Sequence, residues 1–302
     1  MNTNYLISIV GPTAIGKTAL SIKLAQAFDT EILSADSRQF FRELSIGTAA
    51  PSKKELAAAT HHFIHHKSIE EDYSVGDFEK EALAKTEELF KKHKLIILVG
   101  GSGLYVKSLL EGLDDFPEVD PEIRKELNEK FEELGLEPLK SQLQSLDPVY
   151  FEKMDSDNPH RVIRALEICL GTEKSFSSFL DQPKIKRPFK NISIGLMAPR
   201  EEIYERINRR VDIMMDEGLL EEVESLYSKR KLNALNTVGY KELFAFLEGG
   251  VLLEQAVEEI KKNTRRFAKR QLTWFRKDKN IHWFDYKTPA QEIIDFINAE
   301  IS

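Results

Sequence analysis

Gly11-Pro12-Thr13-Ala14-Ile15-Gly16-Lys17-Thr18 is a complete phosphate-binding loop of the form G-x-x-x-x-G-K-[ST]. Gly11 and Gly16 lack a Cβ, so the backbone N–H groups can close around phosphate oxygens. Lys17 is spaced to reach the outer phosphate, and the Thr18 hydroxyl to ligate Mg²⁺. The flanks agree with the motif. Leu6 to Val10 is a short apolar run of the kind that forms a buried parallel strand. Behind Lys17, Leu20, Leu24 and Phe28 recur at helical spacing. Strand, loop and helix N-terminus in that order make an anion site, whose ordinary occupant is a polyphosphate such as ATP.

Further apolar runs end in chemically loaded turns. Glu31 to Ala35 ends at Asp36-Ser37, Leu95 to Val99 at Gly100-Gly101-Ser102-Gly103, Ile192 to Met197 at Ala198-Pro199-Arg200, and Ile281 to Phe284 at Asp285. Helical patterns lie between most of them, which predicts a parallel sheet covered by helices. Ligands of such sheets bind at the carboxyl ends of the strands, so the phosphate loop, Asp36 and the glycine turn are expected on one edge. The rhythm stops between residues 115 and 190, where helical stretches are interrupted at Pro117, Pro121, Gly135, Pro138, Pro148 and Pro159. The fold class is therefore α/β: a P-loop NTPase-like core over 1–115 and 190–302, with an inserted all-helical domain over 116–189. A basic linker, Lys184 to Pro188, is expected at its end.

With 302 residues, 41% hydrophobic and 31% charged, the chain suits one large α/β domain plus a smaller one. No 18-residue apolar run or basic-then-apolar leader is present, so a cytoplasmic protein is expected. One cysteine, Cys169, excludes an internal disulfide framework and a multi-cysteine zinc module, and it reads as a small buried hydrophobe. The net charge of −7 argues against nucleic acid, but eight Lys or Arg and no acid lie in 261–277. Such a local stripe is what governs contact with a phosphate backbone. Its aromatics Phe267, Trp274 and Phe275 are expected to pack mostly on the sheet, leaving the cations outside.

Asp36 reads as a general base or as a water-mediated Mg²⁺ partner, with a turn-capping role as the alternative. Arg206 and Arg210 share a helix face that suits a diphosphate or simply faces solvent beside Glu201, Glu202 and Glu205. His160, Arg161 and Arg164 suit phosphate contact or surface charge equally. His61, His62, His65 and His66 read as packing and loop hydrogen bonding rather than a metal site.

These blocks resemble the bacterial tRNA isopentenyltransferase family, the tRNA dimethylallyltransferases, through nearly the whole chain. The resemblance is carried by the phosphate loop and by Ser34 to Phe41, Ile46 to Ala49, His61-His62 and Tyr73-Ser74. It continues in Val99 to Tyr105, Arg161 to Glu167, Val238 to Glu242 and Thr264 to Arg276. Ile15 stands where serine is commoner, and Ala50 where a lysine often precedes Pro51. The zinc-finger extension of eukaryotic relatives is not expected, in keeping with one cysteine.

The resemblance implies transfer of a dimethylallyl group from its diphosphate to the exocyclic amine of adenosine 37 in tRNA. It assigns catalysis to Asp36, Thr13 and Lys17, with Asp36 as the base. Diphosphate would be held by Gly11, Pro12, Thr13, Ala14, Ile15, Gly16, Lys17, Thr18, Arg206 and Arg210, with Mg²⁺ on Thr18. It implies tRNA contacts at Asp36, Ser37, Arg38, Gln39, Ser102, Arg124, His160, Arg161, Val162, Ile163 and Arg164. Further contacts are implied at Asn236, Thr237, Val238, Gly239, Tyr240 and Lys241. Arg265, Arg266, Lys269 and Arg270 of the basic stripe would hold backbone phosphates, and the helical insertion the anticodon stem-loop. A monomer without membrane association is expected. The competing readings are a small-molecule kinase with the insertion as lid, a prenyltransferase for free adenine nucleotides, and a nucleotide-gated RNA-binding protein.

Overall fold

The structure, a computed structural model, describes residues 3–180, 182 and 186–302; Lys184 and Ile185 of the expected linker lie outside them. Strand β1 (Tyr5–Val10) runs into the phosphate loop and α1 (Lys17–Ala27). Next come β2 (Ile32–Ser34), α2 (Lys53–Ala58), β3 (His61–His62), α3 (Val75–Leu89), β4 (Leu95–Val99) and α4 (Gly103–Glu111). A helical stretch follows with α5 (Pro121–Leu134), α6 (Glu137–Leu146), α7 (Pro148–Lys153) and α8 (Pro159–Thr172). The chain then returns through β5 (Lys190–Met197), α9 (Arg200–Asp216), α10 (Leu219–Ser225), α11 (Tyr240–Leu247) and α12 (Leu253–Phe275). It ends with β6 (Ile281–Asp285) and α13 (Ala290–Ile301).

The six strands form one parallel sheet in the order β3-β2-β4-β1-β5-β6. Both faces are covered, which is why the central strands are apolar throughout rather than alternating. Ile7, Ile9, Ile97, Val99, Ile194 and Leu196 face one core with α1, α9 and α13. Leu6, Val10, Ile96 and Leu98 face the other with α3 and α4. Ser8 and Ser193 lie opposite each other in the β1–β5 register, and their buried hydroxyls satisfy one another at 2.9 Å. A third core gathers Val211, Leu219, Val223, Tyr240, Leu243 and Ile260 from α9 to α12.

The chain divides into two compact units, 1–111 with 187–302, and 112–186. The sequence reading set the insertion at 116–189. The second unit has its own core of Leu127, Leu139, Leu143, Val162, Leu166 and Ile168. Its described prolines do not interrupt helices. Pro121, Pro138, Pro148 and Pro159 occupy the first or second helical position, where no intrahelical N–H partner is lost. Cys169 is buried in that core. No helix among the described residues is long and apolar enough to cross a membrane.

Three expectations are corrected. Strand β3 was not anticipated: His61 and His62 pair with Ile32 and Leu33 at the sheet edge, and His62 Nε2 lies 2.6 Å from Glu31 on the preceding segment. Arg187 is not a free linker cation, because its guanidinium is buried against Glu79 and the Ser108 carbonyl. Of the α12 aromatics only Phe275 is buried; Phe267 and Trp274 stay more than a third exposed, since they sit off the stripe formed by Ala268, Gln271 and Phe275.

Candidate active site

A cavity of about 870 Å³ opens over the carboxyl ends of the strands in the larger unit. The phosphate loop residues Thr13 to Thr18 form one wall. Asp36, Gln39 and Gly100-Gly101 lie along it, Arg206 and Arg210 come in from α9, and Ser45 to Glu55 form a further wall.

The loop geometry follows from its residues. Gly11 has φ +142°, and a Cβ there would meet the Leu196 carbonyl of β5 at 2.7 Å. Gly16 has φ +107° and ends the loop as an N-cap without a side-chain hydrogen bond. The first N–H groups of α1 are thus left to an anion. Lys17 folds back to donate to the Gly11 and Pro12 carbonyls at 3.1 and 2.8 Å. Burial pulls its ammonium pKa down to about 8, against the raising effect of Asp36, with Arg210 lowering it further.

Arg206 Nε donates to the Ala14 carbonyl at 2.7 Å, and Arg210 Nη1 to Thr13 Oγ1 at 3.1 Å. Burial also lowers the Arg210 pKa from its ordinary value. None of Lys17, Arg206 and Arg210 forms a salt bridge to a carboxylate among the described residues. Three cations therefore surround the loop with carbonyl and hydroxyl hydrogen-bond partners, Arg206 also lying 4.9 Å over the Tyr286 ring, and no carboxylate among the described residues neutralises them, which suits an incoming diphosphate.

Asp36 is placed by the segment after β2. One carboxylate oxygen accepts the Arg38 N–H at 3.1 Å, an Asx-type turn, and the other has no such tie among the described hydrogen bonds. The turn is pinned to the end of β4, where Ser102 Oγ accepts from the Ser37 N–H at 3.0 Å and donates to Ser37 Oγ. Gly100 permits this approach, because its Cβ would fall 2.3 Å from the Ala35 carbonyl. Gln39 donates to the Thr48 and Ala49 carbonyls.

Two residues that the sequence reading did not single out support the cavity. Glu222 on α10 accepts the N–H groups of Ser45, Ile46 and Gly47 at 3.0, 2.8 and 3.0 Å and the Tyr240 hydroxyl at 2.6 Å. One carboxylate thus fixes the start of the 45–55 wall. Gln271 on α12 accepts the Thr13 N–H and donates to the Gly101 carbonyl. Its signal was there in retrospect: a polar residue on the buried stripe Ala268, Gln271, Phe275.

A model of the IPP transferase family matches residues 39–278 of the chain. The tRNA dimethylallyltransferase of Christiangramia forsetii is 64% identical over 300 residues, covering 99% of each chain. The chain belongs to the IPP transferase family. A tRNA dimethylallyltransferase 1 of Bacteroides fragilis is 46% identical over the whole of both chains. Among solved structures, the tRNA isopentenylpyrophosphate transferase of Bacillus halodurans aligns with TM-score 0.74 at 38% identity, covering 99% of this chain and 97% of that one. A eukaryotic dimethylallyltransferase, described as acting on tRNA, aligns with TM-score 0.83 at 27% identity, covering 98% and 80%. The α/β sheet with its helical insertion is therefore the fold of IPP transferases.

The segments that the resemblance assigns to tRNA divide by exposure. His160, Arg161, Asn236, Lys241, Arg266, Lys269 and Arg270 are exposed. Arg265 is half-buried and bonds Asn208. Arg124 and Arg164 both reach the buried carboxylate of Glu167, at 3.0 and 2.9 Å. Arg38 lends its guanidinium to the Asn233 and Asn236 carbonyls, which holds Asn236 but occupies Arg38. Thr237 and Val238 are half-buried, and Gly239 is buried with φ +99°. Val162, Ile163 and Tyr240 are corrections. All three are core side chains at 0, 3 and 0% exposure, so they shape the surface without offering it to RNA.

Proposed function

We propose that this chain transfers a dimethylallyl group from dimethylallyl diphosphate to the exocyclic amine of adenosine 37 in tRNA, releasing N(6)-(dimethylallyl)adenosine and diphosphate. One observation carries the reading: a carboxylate, Asp36, lines the same cavity as a phosphate loop ringed by three cations that have no carboxylate partner among the described residues. A kinase would use that loop for ATP. An IPP transferase uses it for a leaving diphosphate, and the chemistry needs a base beside it.

A new C–N bond forms at the prenyl C1 as the C–O bond to diphosphate breaks. The electron pair leaves with diphosphate, and the amine proton passes to the Asp36 carboxylate. The adenine lone pair is delocalised into the ring, so both ends of the reaction need help. Lys17, Arg206 and Arg210 neutralise charge on the leaving group, and Thr13 bonds it beside the breaking bond. The available oxygen donors, the Thr18 hydroxyl and the Asp36 carboxylate on one cavity, are the hard ligands that Mg²⁺ prefers. When bound on Thr18, the ion adds positive charge at the diphosphate.

The target base must leave the anticodon stack to reach a cavity of this kind. Exposed cations on α12 and on the helical unit supply backbone contacts that carry no sequence information. The enzyme is read as a cytoplasmic monomer.

The test is transfer of labelled dimethylallyl to an unmodified anticodon stem-loop with Mg²⁺, wild type beside Asp36→Ala and Asp36→Asn. ATP with AMP serves as a phosphorylation control. Wild type is expected to label the RNA. Both variants should lose ~10³-fold in rate while keeping RNA affinity. Phosphate transfer from ATP without RNA labelling would overturn the reading.

A further inference from the structure

We infer that Gln271 is a positioning residue of the diphosphate site, its side-chain amide clamping the phosphate loop to the turn after β4. The inference rests on the reading of that loop as a diphosphate site.

The amide carbonyl of Gln271 accepts the Thr13 N–H at 2.8 Å, and its NH₂ donates to the Gly101 carbonyl at 2.9 Å. Thr13 follows β1 and Gly101 follows β4, so one side chain from α12 spans two adjacent strand ends. The geometry leaves little room for another arrangement. Gln271 is 6% exposed, and a Cβ on Gly101 would lie 2.4 Å from Gln271 Nε2 and 3.6 Å from Lys17 Nζ. Gly101 does not have a positive φ, so its lack of a side chain answers to space rather than to backbone strain. Three residues further along α12, Trp274 makes the same demand: a Cβ on Gly103 would meet its indole at 2.2 Å.

The consequence concerns Thr13. Its N–H is committed to Gln271, and its hydroxyl is gripped by Arg210 at 3.1 Å. Its N–H and its hydroxyl are therefore both held from outside the loop before any ligand arrives. Ala14 beside it sits at φ +63°, an uncommon conformation for a residue with a Cβ, which needs support from its surroundings. Without the amide, the part-buried Thr13 N–H and the buried Gly101 carbonyl both lose their partner. The loop entry would then relax away from the shape that presents its remaining N–H groups to phosphate. Misplacement of about 1 Å costs roughly 10²-fold in rate.

The experiment compares wild type, Gln271→Ala, Gln271→Asn, Gly101→Ala and the Gly101→Ala/Gln271→Ala double variant. Readouts are melting temperature, Kd for inorganic diphosphate with Mg²⁺, KM and kcat for dimethylallyl diphosphate, and Kd for the stem-loop RNA. Gln271→Ala is expected to weaken diphosphate binding ~10-fold and lower kcat/KM roughly 10²-fold per folded molecule, with RNA affinity within about 2-fold. Gln271→Asn, one methylene short of the span, should behave similarly. Gly101→Ala should impair the enzyme when Gln271 is present and add less than about 2-fold when it is Ala, the non-additivity of two groups that compete for one space.

Unchanged diphosphate Kd and KM in folded Gln271→Ala, or additive Gly101 and Gln271 effects, would overturn the clamp. If Gln271→Ala does not fold, Gln271→Asn and the Gly101→Ala variant, which retains Gln271, decide the matter by the same Kd. Because inorganic diphosphate binding needs no transfer, a wild type that binds diphosphate but labels no RNA would sink the proposed function alone.

Discussion

The cations of the phosphate site and those of the helical unit meet opposite partners. Around the loop, Lys17, Arg206 and Arg210 hydrogen-bond carbonyls and a hydroxyl and no carboxylate among the described residues. In the helical unit, Arg124 and Arg164 share the buried carboxylate of Glu167. The same contrast runs along α12. Lys261 and Lys262 at its middle are paired with Asp212, Glu258 and Glu259, whereas Arg265, Arg266, Lys269 and Arg270 have no carboxylate partner among the described residues. A cation already neutralised by a carboxylate gains less from a phosphate than one bonded to a carbonyl. The partner, not the residue type, marks which positive charges are poised for a ligand.

The largest expected effect lies at the loop. Lys17→Met should cost ~10³-fold in kcat/KM for dimethylallyl diphosphate while stem-loop affinity holds. Wild type should also show a signature that the variant lacks. Lys17 carries its charge below about 8 in the free site. Diphosphate binds the charged form, so affinity is full below that pH and falls as the pH rises through it. A flat profile across that range in wild type would break the comparison.

On α12, alanine at Arg266, Lys269 or Arg270 should weaken the stem-loop by about 1 kcal/mol each and reduce the salt slope by roughly one ion per lost phosphate contact. Alanine at the ion-paired Lys261 or Lys262 should change neither, as titrations at several salt concentrations would read. The smallest effect is expected in the helical unit. Removing Arg124 leaves Arg164 on Glu167, so RNA affinity should move less than about 3-fold. A larger loss than on α12 would reverse the ranking.

The sheet was legible because its strands are buried on both faces and read as uninterrupted apolar runs. The phosphate loop was legible because its chemistry is local, eight consecutive residues whose order alone implies a ligand. Asp36 could be placed on the same edge from its position after a strand. What spacing hid was everything that acts across the chain. β3 is two residues long and is held by register with β2 and by Glu31, neither of which leaves a local pattern. Glu222 reads as one more acid in a charged helix until the N–H groups of Ser45 to Gly47 are seen to converge on it. Val162, Ile163 and Tyr240 lie within contiguous blocks of the resemblance, and only burial separates those that face solvent from those that support them.

The reach of the clamp has a consequence for how the molecule is made. The loop at 11–18 is synthesised ahead of the side chains that hold it: Arg210 lies 197 residues beyond Thr13, and Gln271 lies 258 beyond it. The helical unit is synthesised in between. A chain stalled between α1 and α9 carries the full motif and neither arginine; one stalled before Gln271 lacks the amide that fixes Thr13. The signature that identifies the site from its letters is thus synthesised well before the residues that complete the site.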